Sequence, residues 1–219
     1  IRPIITINPP QIKNLFVFIF ELYANFYSNA TIIYMKSPIA FRSHEEMKDV
    51  LFYPKENAPL NHYYMIRGGS EKGNITVWES GKIGNEYIKT YGHYHVGDLN
   101  ETYTILSGEG IIILQERDGA DDKIKSFKAI KVKSGDKVYI PSGMGHLGIN
   151  TGDTWFVTHD DSPVNLDEEN AVSFAGHADY EPFKKLHGAG YYVIEKDGKI
   201  EFVKNPNYKI VPKIEFVNF

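Results

Sequence analysis

The sequence predicts an all-β domain. Short runs of β-branched and aromatic residues recur along the chain, and each run is bounded by glycine, proline, asparagine or aspartate, as strands joined by turns usually are. Helix signals are few. This rhythm is typical of an antiparallel sandwich or barrel. The predicted strands are Tyr63–Ile66, Ile75–Trp78, Glu86–Tyr94, Glu101–Leu106, Gly110–Gln115, Ile124–Val132, Lys137–Ile140, Leu147–Asn150 and Thr154–Thr158.

One short helix is expected before the first of these strands. Ser43 and Glu46 fit a capping box, in which the serine oxygen accepts from the glutamate N–H and the glutamate carboxylate accepts from the serine N–H. The helix should begin there and end near Leu51.

The N-terminal part of the chain is expected to be an extension that contributes a short helix or strand packed on the domain. Its apolar run from Leu15 to Phe20 ends at Glu21, far short of the ~20 apolar residues that span a bilayer. Met35 is a candidate first residue of the domain itself. The expected organisation is an extension at 1–34 and one domain at 35–219, with a barrel core at about 60–160 and a C-terminal segment at 161–219.

Charge and cysteine content exclude several classes of function. The 24 lysines and arginines against 28 aspartates and glutamates give a net charge of −4, which favours neither a nucleic acid nor an anionic membrane as partner. The chain has no cysteine, so disulfides and thiol nucleophiles are excluded. This composition is compatible with a reducing compartment, and we expect a cytoplasmic protein.

Three histidines and a glutamate carry the strongest chemical signal. His93 and His95 are two positions apart, and side chains at i and i+2 of a strand point to the same face, so both can bind one metal ion. Glu101 follows a turn-forming segment and begins the returning strand, which brings it back beside the pair. His146 follows a turn rich in glycine and proline and adds a third imidazole at the same cavity.

This set of ligands favours one divalent transition metal. Three imidazoles and a carboxylate suit iron, manganese, nickel, cobalt or zinc better than magnesium or calcium. The alternative is that the histidine pair is a polar, half-exposed stretch of strand that binds no metal. That alternative leaves unexplained why Glu101 and His146 occur in matching turn contexts.

Two motifs carry a resemblance to the cupin family. The second cupin motif, G-x5-P-x-G-x2-H-x3-N, is matched by Gly135, Pro141, Gly143, His146 and Asn150. The first motif is matched by His93, His95, Glu101 and Gly108, although Tyr87 replaces its upstream glycine and five residues separate His95 from Glu101. With these motifs, the predicted strands indicate a jelly-roll β-barrel.

From about Asn74 to Tyr208 the chain resembles the cupin-type glucose-6-phosphate isomerases of archaea. The most specific segments are glycine-lysine-x-glycine at Gly81–Gly84 and threonine-x-glycine-histidine at Thr90–His93. The C-terminal segments GHADY and VIEKDGKIEFVKNPNY are also similar. The resemblance implies a sugar phosphate as substrate and a homodimer.

The resemblance also implies residues that hold the substrate. For some of them, the alternation of side chains along a strand does not predict that they face the metal ligands. Strand alternation puts Tyr103 on the face of Glu101, but Thr90 lies three residues from His93 and needs a bulge at Gly92 to face the same way. Lys89, on the face of His93, is expected to help to hold phosphate. The implied phosphate residues are Thr76, Thr90, Gly92 and Tyr103, and the residues implied near the sugar are Tyr63, His177 and Tyr180.

The favoured function is a metal-dependent aldose-ketose isomerase. It would interconvert glucose 6-phosphate and fructose 6-phosphate, with Glu101 moving a proton between C1 and C2 through a cis-enediol; hydride transfer is the competing route. One alternative is a metal cupin oxygenase or decarboxylase that acts on a small organic acid. Another is a cupin that binds sugar without catalysis.

Overall fold

Antiparallel strands account for most elements over residues 39–68, 73–163 and 177–219, which are those that the computed structural model describes. The predicted extension at 1–34 lies outside these residues, as does the stretch 164–176 of the predicted C-terminal segment. The strands are β1 Ile39–Ser43, β2 Asn61–Arg67, β3 Asn74–Trp78, β4 Lys82–Ile83, β5 Glu86–Tyr87, β6 Tyr94–His95, β7 Glu101–Ser107, β8 Glu109–Asp118, β9 Ala120–Lys133, β10 Lys137–Ile140, β11 Met144–Asn150, β12 Phe156–Asp160, β13 Ala178–Asp179, β14 Tyr191–Lys196, β15 Lys199–Lys204 and β16 Glu215–Val217.

Two larger sheets supply most of the core. One has the order β1-β2-β3-β12-β7-β10 and the other β11-β8-β9-β16, and the pairings within them are antiparallel except that between β16 and β9. Smaller sheets are formed by β13-β6 and by β15-β14-β5-β4. Strands distant in sequence are neighbours, as in a jelly roll. The prediction of an all-β fold with a few short helices is confirmed.

Side chains from both larger sheets meet in one apolar core. Trp78 and Phe156 of the six-stranded sheet are almost fully buried, and their rings lie 5.0 Å apart. Ile112 and Leu147 of the facing sheet belong to the same core. A side chain at Gly148 would meet the Trp78 ring at 2.8 Å, so glycine is required for the two sheets to approach this closely.

The predicted capping box is present. Ser43 caps helix α1, His44–Met47, its oxygen accepts from the Glu46 N–H at 3.3 Å, and its own N–H donates to the Glu46 carboxylate at 2.8 Å. A 3₁₀ turn continues to Val50, close to the predicted end. A second short helix, α2, covers Glu181–Lys185, where the sequence had indicated none.

One predicted strand is wrong. Instead of a single strand over Glu86–Tyr94, the chain forms the two-residue strands β5 and β6, and only isolated backbone pairings occur between them. Gly92 explains the interruption, because its φ of 85° is left-handed and incompatible with a regular strand. Within the described residues, no helix is long and apolar enough to span a bilayer.

Candidate metal centre

Backbone pairing brings His93 of the first motif next to His146 of the second motif. The N–H of His93 donates to the carbonyl of His146 at 3.2 Å, and the N–H of His146 donates back at 2.9 Å. Residues directly opposite each other in an antiparallel pair direct their side chains to the same face, and their rings lie 4.3 Å apart. His95, two positions from His93, completes the group with its ring 4.9 Å from that of His93.

Glu101 lies between two of these imidazoles. It begins β7 on the opposite sheet, and its Oε2 is 3.1 Å from Nε2 of His95 and 3.1 Å from Nε2 of His146. All three side chains are buried, with exposed fractions of 6% for His95, 0% for His146 and 3% for Glu101. The structure therefore places all four predicted ligands in one small volume.

The donor atoms fit a metal ion. One nitrogen from each of His93, His95 and His146 lies within 4.8 Å of the other two, so one ion could contact all three. The Nδ1 of His146 lies 3.2 Å from the Met144 carbonyl oxygen, which favours a proton on Nδ1 and leaves the lone pair on Nε2. That Nε2 is fully buried and, despite its approach to Glu101, has no aligned hydrogen-bond partner.

The electrostatics of the group also favour bound cations over protons. Burial, together with the neighbouring His146 and His95, holds the pKa of His93 well below its usual range, so this imidazole keeps its lone pair at neutral pH. Burial alone would raise the pKa of Glu101. The neighbouring imidazoles of His146 and His95 outweigh burial and lower the pKa of Glu101, which is ionised at neutral pH.

Two tyrosines implied by the resemblance contact the histidines. The Tyr103 ring packs edge-on against His146 at 5.7 Å, and the Tyr180 ring lies 5.4 Å from His93. Tyr63 is nearby, since its hydroxyl accepts from the Tyr91 N–H at 3.4 Å. These tyrosines line one side of the candidate centre.

Two of the other implied residues, Thr76 and His177, are positioned by backbone pairing. Thr76 pairs in register with Thr158, which is buried in the same sheet as Glu101. His177 is half-buried, and its carbonyl accepts from the Val96 N–H at 2.8 Å, next to His95.

Thr90 and Gly92 show how the chain departs from simple strand alternation. The left-handed Gly92 precedes His93 directly, and a side chain there would collide with Phe183 at 2.5 Å. Thr90 is held by β11, because its oxygen accepts from the Gly148 N–H at 3.0 Å and its N–H donates to the Gly148 carbonyl at 2.9 Å. Its hydroxyl therefore already has a backbone partner.

The side chain of Lys89 does not lie beside the phosphate residues, as the alternation of side chains along a strand had predicted. Its ammonium forms a buried ion pair with Glu86 and donates to the Val50 carbonyl at 2.7 Å. Glu86 also accepts from the Phe52 N–H at 2.7 Å. The expectation that Lys89 helps to hold phosphate is wrong, because this charge links the loop after α1 to the barrel.

Sequence reasoning missed a polar row beside the centre. Arg67, Asn74, Asp160 and Tyr103 are successive register partners across β2, β3, β12 and β7. The alternation of β2 and β3 could have indicated the inward direction of Arg67 and Asn74, but the order of the strands could not be read from the sequence. Burial, with the charge of Glu101 nearby, raises the pKa of Asp160 to about 6.

Comparison with known proteins agrees with the resemblance over most of the chain. A model of the family described as glucose-6-phosphate isomerase matches residues 35–211. The glucose-6-phosphate isomerase of Thermococcus onnurineus is 31% identical over 160 residues, which cover 71% of this chain and 76% of that protein. The enzyme of Pyrococcus furiosus is also 31% identical, with the same coverage. The chain belongs to the glucose-6-phosphate isomerase family.

Proposed function

We propose that the protein interconverts glucose 6-phosphate and fructose 6-phosphate with the help of one divalent transition metal. The chain belongs to the glucose-6-phosphate isomerase family. The observation that carries the proposal is the contact of Glu101 with both His95 and His146 at 3.1 Å. It places an ionised carboxylate at the edge of a group of imidazoles that could hold an ion. The metal would be iron, manganese, nickel, cobalt or zinc, as the donor set favours.

His93, His95 and His146 would hold the ion, and Glu101 would be a weaker ligand beside it. When bound, the metal would supply positive charge that orients the C1 and C2 oxygens of the open-chain sugar and stabilises the developing enediolate. Such an ion also explains the buried Nε2 of His146, whose lone pair has no aligned donor in the protein.

Glu101 would move the proton. Its carboxylate would take a proton from C1 of fructose 6-phosphate, giving a cis-enediolate, and would return that proton to C2 while the O1 proton moves to O2. The lowered pKa of Glu101 keeps it ionised and ready to accept. Tyr103 and Tyr180, which contact the histidines, would border the sugar.

A coupled assay of the purified protein with fructose 6-phosphate tests the proposal. We expect little turnover after chelation and recovery on adding one of the five metals singly. Absence of turnover with every metal would exclude this function and favour the cupin oxygenase or decarboxylase alternative.

The route of the hydrogen is tested separately. Conversion of fructose 6-phosphate in D₂O should place deuterium at C2 of the glucose 6-phosphate that forms, because a proton on Glu101 can exchange with solvent. Product without deuterium, formed equally fast by a Glu101→Gln variant, would favour hydride transfer and leave Glu101 as a ligand only.

A homodimer is a further expectation from the family. Among the described strands β1 is the last of its sheet, and it carries Phe41, which is 55% exposed and which a second copy could cover. Sedimentation at micromolar concentration should show a species of twice 25.0 kDa, and a monomer alone would contradict the expectation.

A further inference from the structure

A buried tyrosine lies behind the histidines, on the opposite face of the strand that carries two of them. Tyr94 stands between His93 and His95, and neighbouring side chains of a strand point to opposite faces, so its ring points away from both imidazoles. It is 1% exposed, although β6 itself has only two residues. The direction of both imidazoles therefore depends on what holds Tyr94.

The ring of Tyr94 lies against the backbone of β11. A side chain at Gly145 would come within 2.4 Å of this ring, so glycine is required there for the ring to fit. Gly145 directly precedes His146, whose side chain points to the other face of β11. Tyr94 thus contacts the chain beside His146 and is itself the neighbour of His93 and His95.

Two further side chains fix the position of the ring. The guanidinium of Arg117 lies 4.0 Å from the centre of the Tyr94 ring, and Asp121 holds that guanidinium in an ion pair at 2.9 Å. Phe183 of α2 is fully buried, and its ring lies 5.6 Å from that of Tyr94. With the contact at Gly145, the ring has neighbours from three different elements.

A buried amide fixes the hydroxyl of Tyr94. Gln115 is the register partner of Gly145 in β8, and its Nε2 donates to the Tyr94 hydroxyl at 3.0 Å and to the Tyr208 hydroxyl at 3.2 Å. Its Oε1 accepts from the Gly190 N–H at 3.0 Å. A backbone N–H can only donate, so this contact determines which way the amide points and directs Nε2 to the two tyrosines.

We infer that Tyr94, held by Gln115, is a positioning residue that sets the direction of His93 and His95 towards the ion. Because its side chain lies on the other face, it acts through the backbone of β6, as groups behind metal ligands commonly orient those ligands. The inference rests on the metal binding of the proposed function. It also gives the C-terminal segment a part in the centre, since Gly190 and Tyr208 hold the amide.

The test measures binding of cobalt(II) to the metal-free protein by calorimetry, and the visible absorption of the bound cobalt. Tyr94→Phe loses only the hydroxyl that Gln115 holds and should weaken cobalt binding by about 10-fold. Tyr94→Leu also loses the ring and should weaken it by about 100-fold, the upper end of what loss of an orienting group costs. The absorption should change in both variants, because the imidazoles reach the ion in a different direction.

Tyr208→Phe is the matched control. Tyr208 is 4% exposed, accepts from the same amide and donates to the Gly188 carbonyl at 2.9 Å, but it neighbours no histidine in sequence. Its loss should lower the thermal stability as Tyr94→Phe does, because each variant removes one buried hydroxyl. Cobalt affinity and absorption of Tyr208→Phe should match wild type.

Folded Tyr94→Phe and Tyr94→Leu proteins with the cobalt affinity and absorption of wild type would overturn the inference and leave the isomerase function intact. An equal loss of affinity in Tyr208→Phe would also overturn it, because Tyr94 would then contribute stability alone. If Tyr94→Leu does not fold, Tyr94→Phe decides. If wild type binds cobalt without turning over fructose 6-phosphate, the proposed function fails, and the same affinities still decide the role of Tyr94. A wild-type protein that binds none of the five metals would refute both.

Discussion

Two groups of buried ionisable residues in this barrel differ in what surrounds them. In the histidine centre, formed by His93, His95, Glu101 and His146, the polar atoms converge on one point, and Nε2 of His146 has no aligned partner. In the buried ion pair, formed by Glu86 and Lys89, each charge has the other and also a backbone group.

This difference shows that burial of charge is a poor sign of function by itself. The buried ion pair is as deeply enclosed as the histidine centre, with exposed fractions of 5% for Lys89 and 0% for Glu86. Its hydrogen bonds lead to the loop after α1, which is what a structural element requires. Lone pairs that face a shared point without donors are what indicate a bound ion.

The largest expected effect is on turnover in the histidine centre. Replacing Glu101 by Gln removes the proton acceptor and should lower kcat by about 10²- to 10⁴-fold, which is typical for loss of a general base. The three histidines should still hold appreciable metal. Turnover and metal content measured on the same preparation test this. His146→Ala is the matched comparison, since it should lose metal as well; full turnover of Glu101→Gln would contradict the assignment.

The second effect is on stability and belongs to the buried ion pair. Lys89→Met leaves Glu86 buried without its cation and should lower the free energy of unfolding by about 3–5 kcal/mol, without altering metal affinity in the folded protein. Urea denaturation measures the first quantity and metal titration the second. The double variant Glu86→Gln/Lys89→Met should recover part of the loss. A loss of metal in Lys89→Met at full stability would show that the two groups are coupled.

The third effect is a pH dependence at His62, which lies next to the buried ion pair. Burial, with His44 and Lys89 nearby, lowers the pKa of His62 to about 3, against about 6.5 when unfolded. The unfolded chain therefore binds the extra proton between these values, and stability from His62 is present above pH 6.5 and lost as the pH falls towards 3.

At pH 5 this loss should be about 2 kcal/mol. Urea denaturation of the metal-free protein at pH 7 and pH 5 measures it, with His62→Gln as reference, because all other groups titrate in both proteins. An equal pH dependence of the two proteins would contradict the assigned shift.

The smallest effect is local and concerns the helix cap at Ser43. Ser43→Ala removes the oxygen that accepts from Glu46 and should cost about 1 kcal/mol of unfolding free energy. Ser43→Thr keeps that oxygen and should stay near wild type. Thermal denaturation of the three proteins is the measurement. A change in KM on Ser43→Ala would show that α1 also shapes the substrate side.

The sequence by itself determined the features that depend on neighbouring residues. The capping box at Ser43 needs only a three-residue spacing, and the shared face of His93 and His95 needs only the period of a strand. The two cupin motifs then predicted that Glu101 and His146 would join them, and the structure brings these side chains to 3.1 Å. The all-β class followed from the same local pattern of runs and turns.

Tertiary structure alone decided which residues face the centre from other strands. The position of Lys89 depends on the left-handed turn at Gly92, which ends the alternation that its prediction assumed. The row from Arg67 to Tyr103 joins four strands whose order in the sheet differs from their order in the chain. Strand pairing is set by long-range packing of the two sheets, so no local pattern contains it.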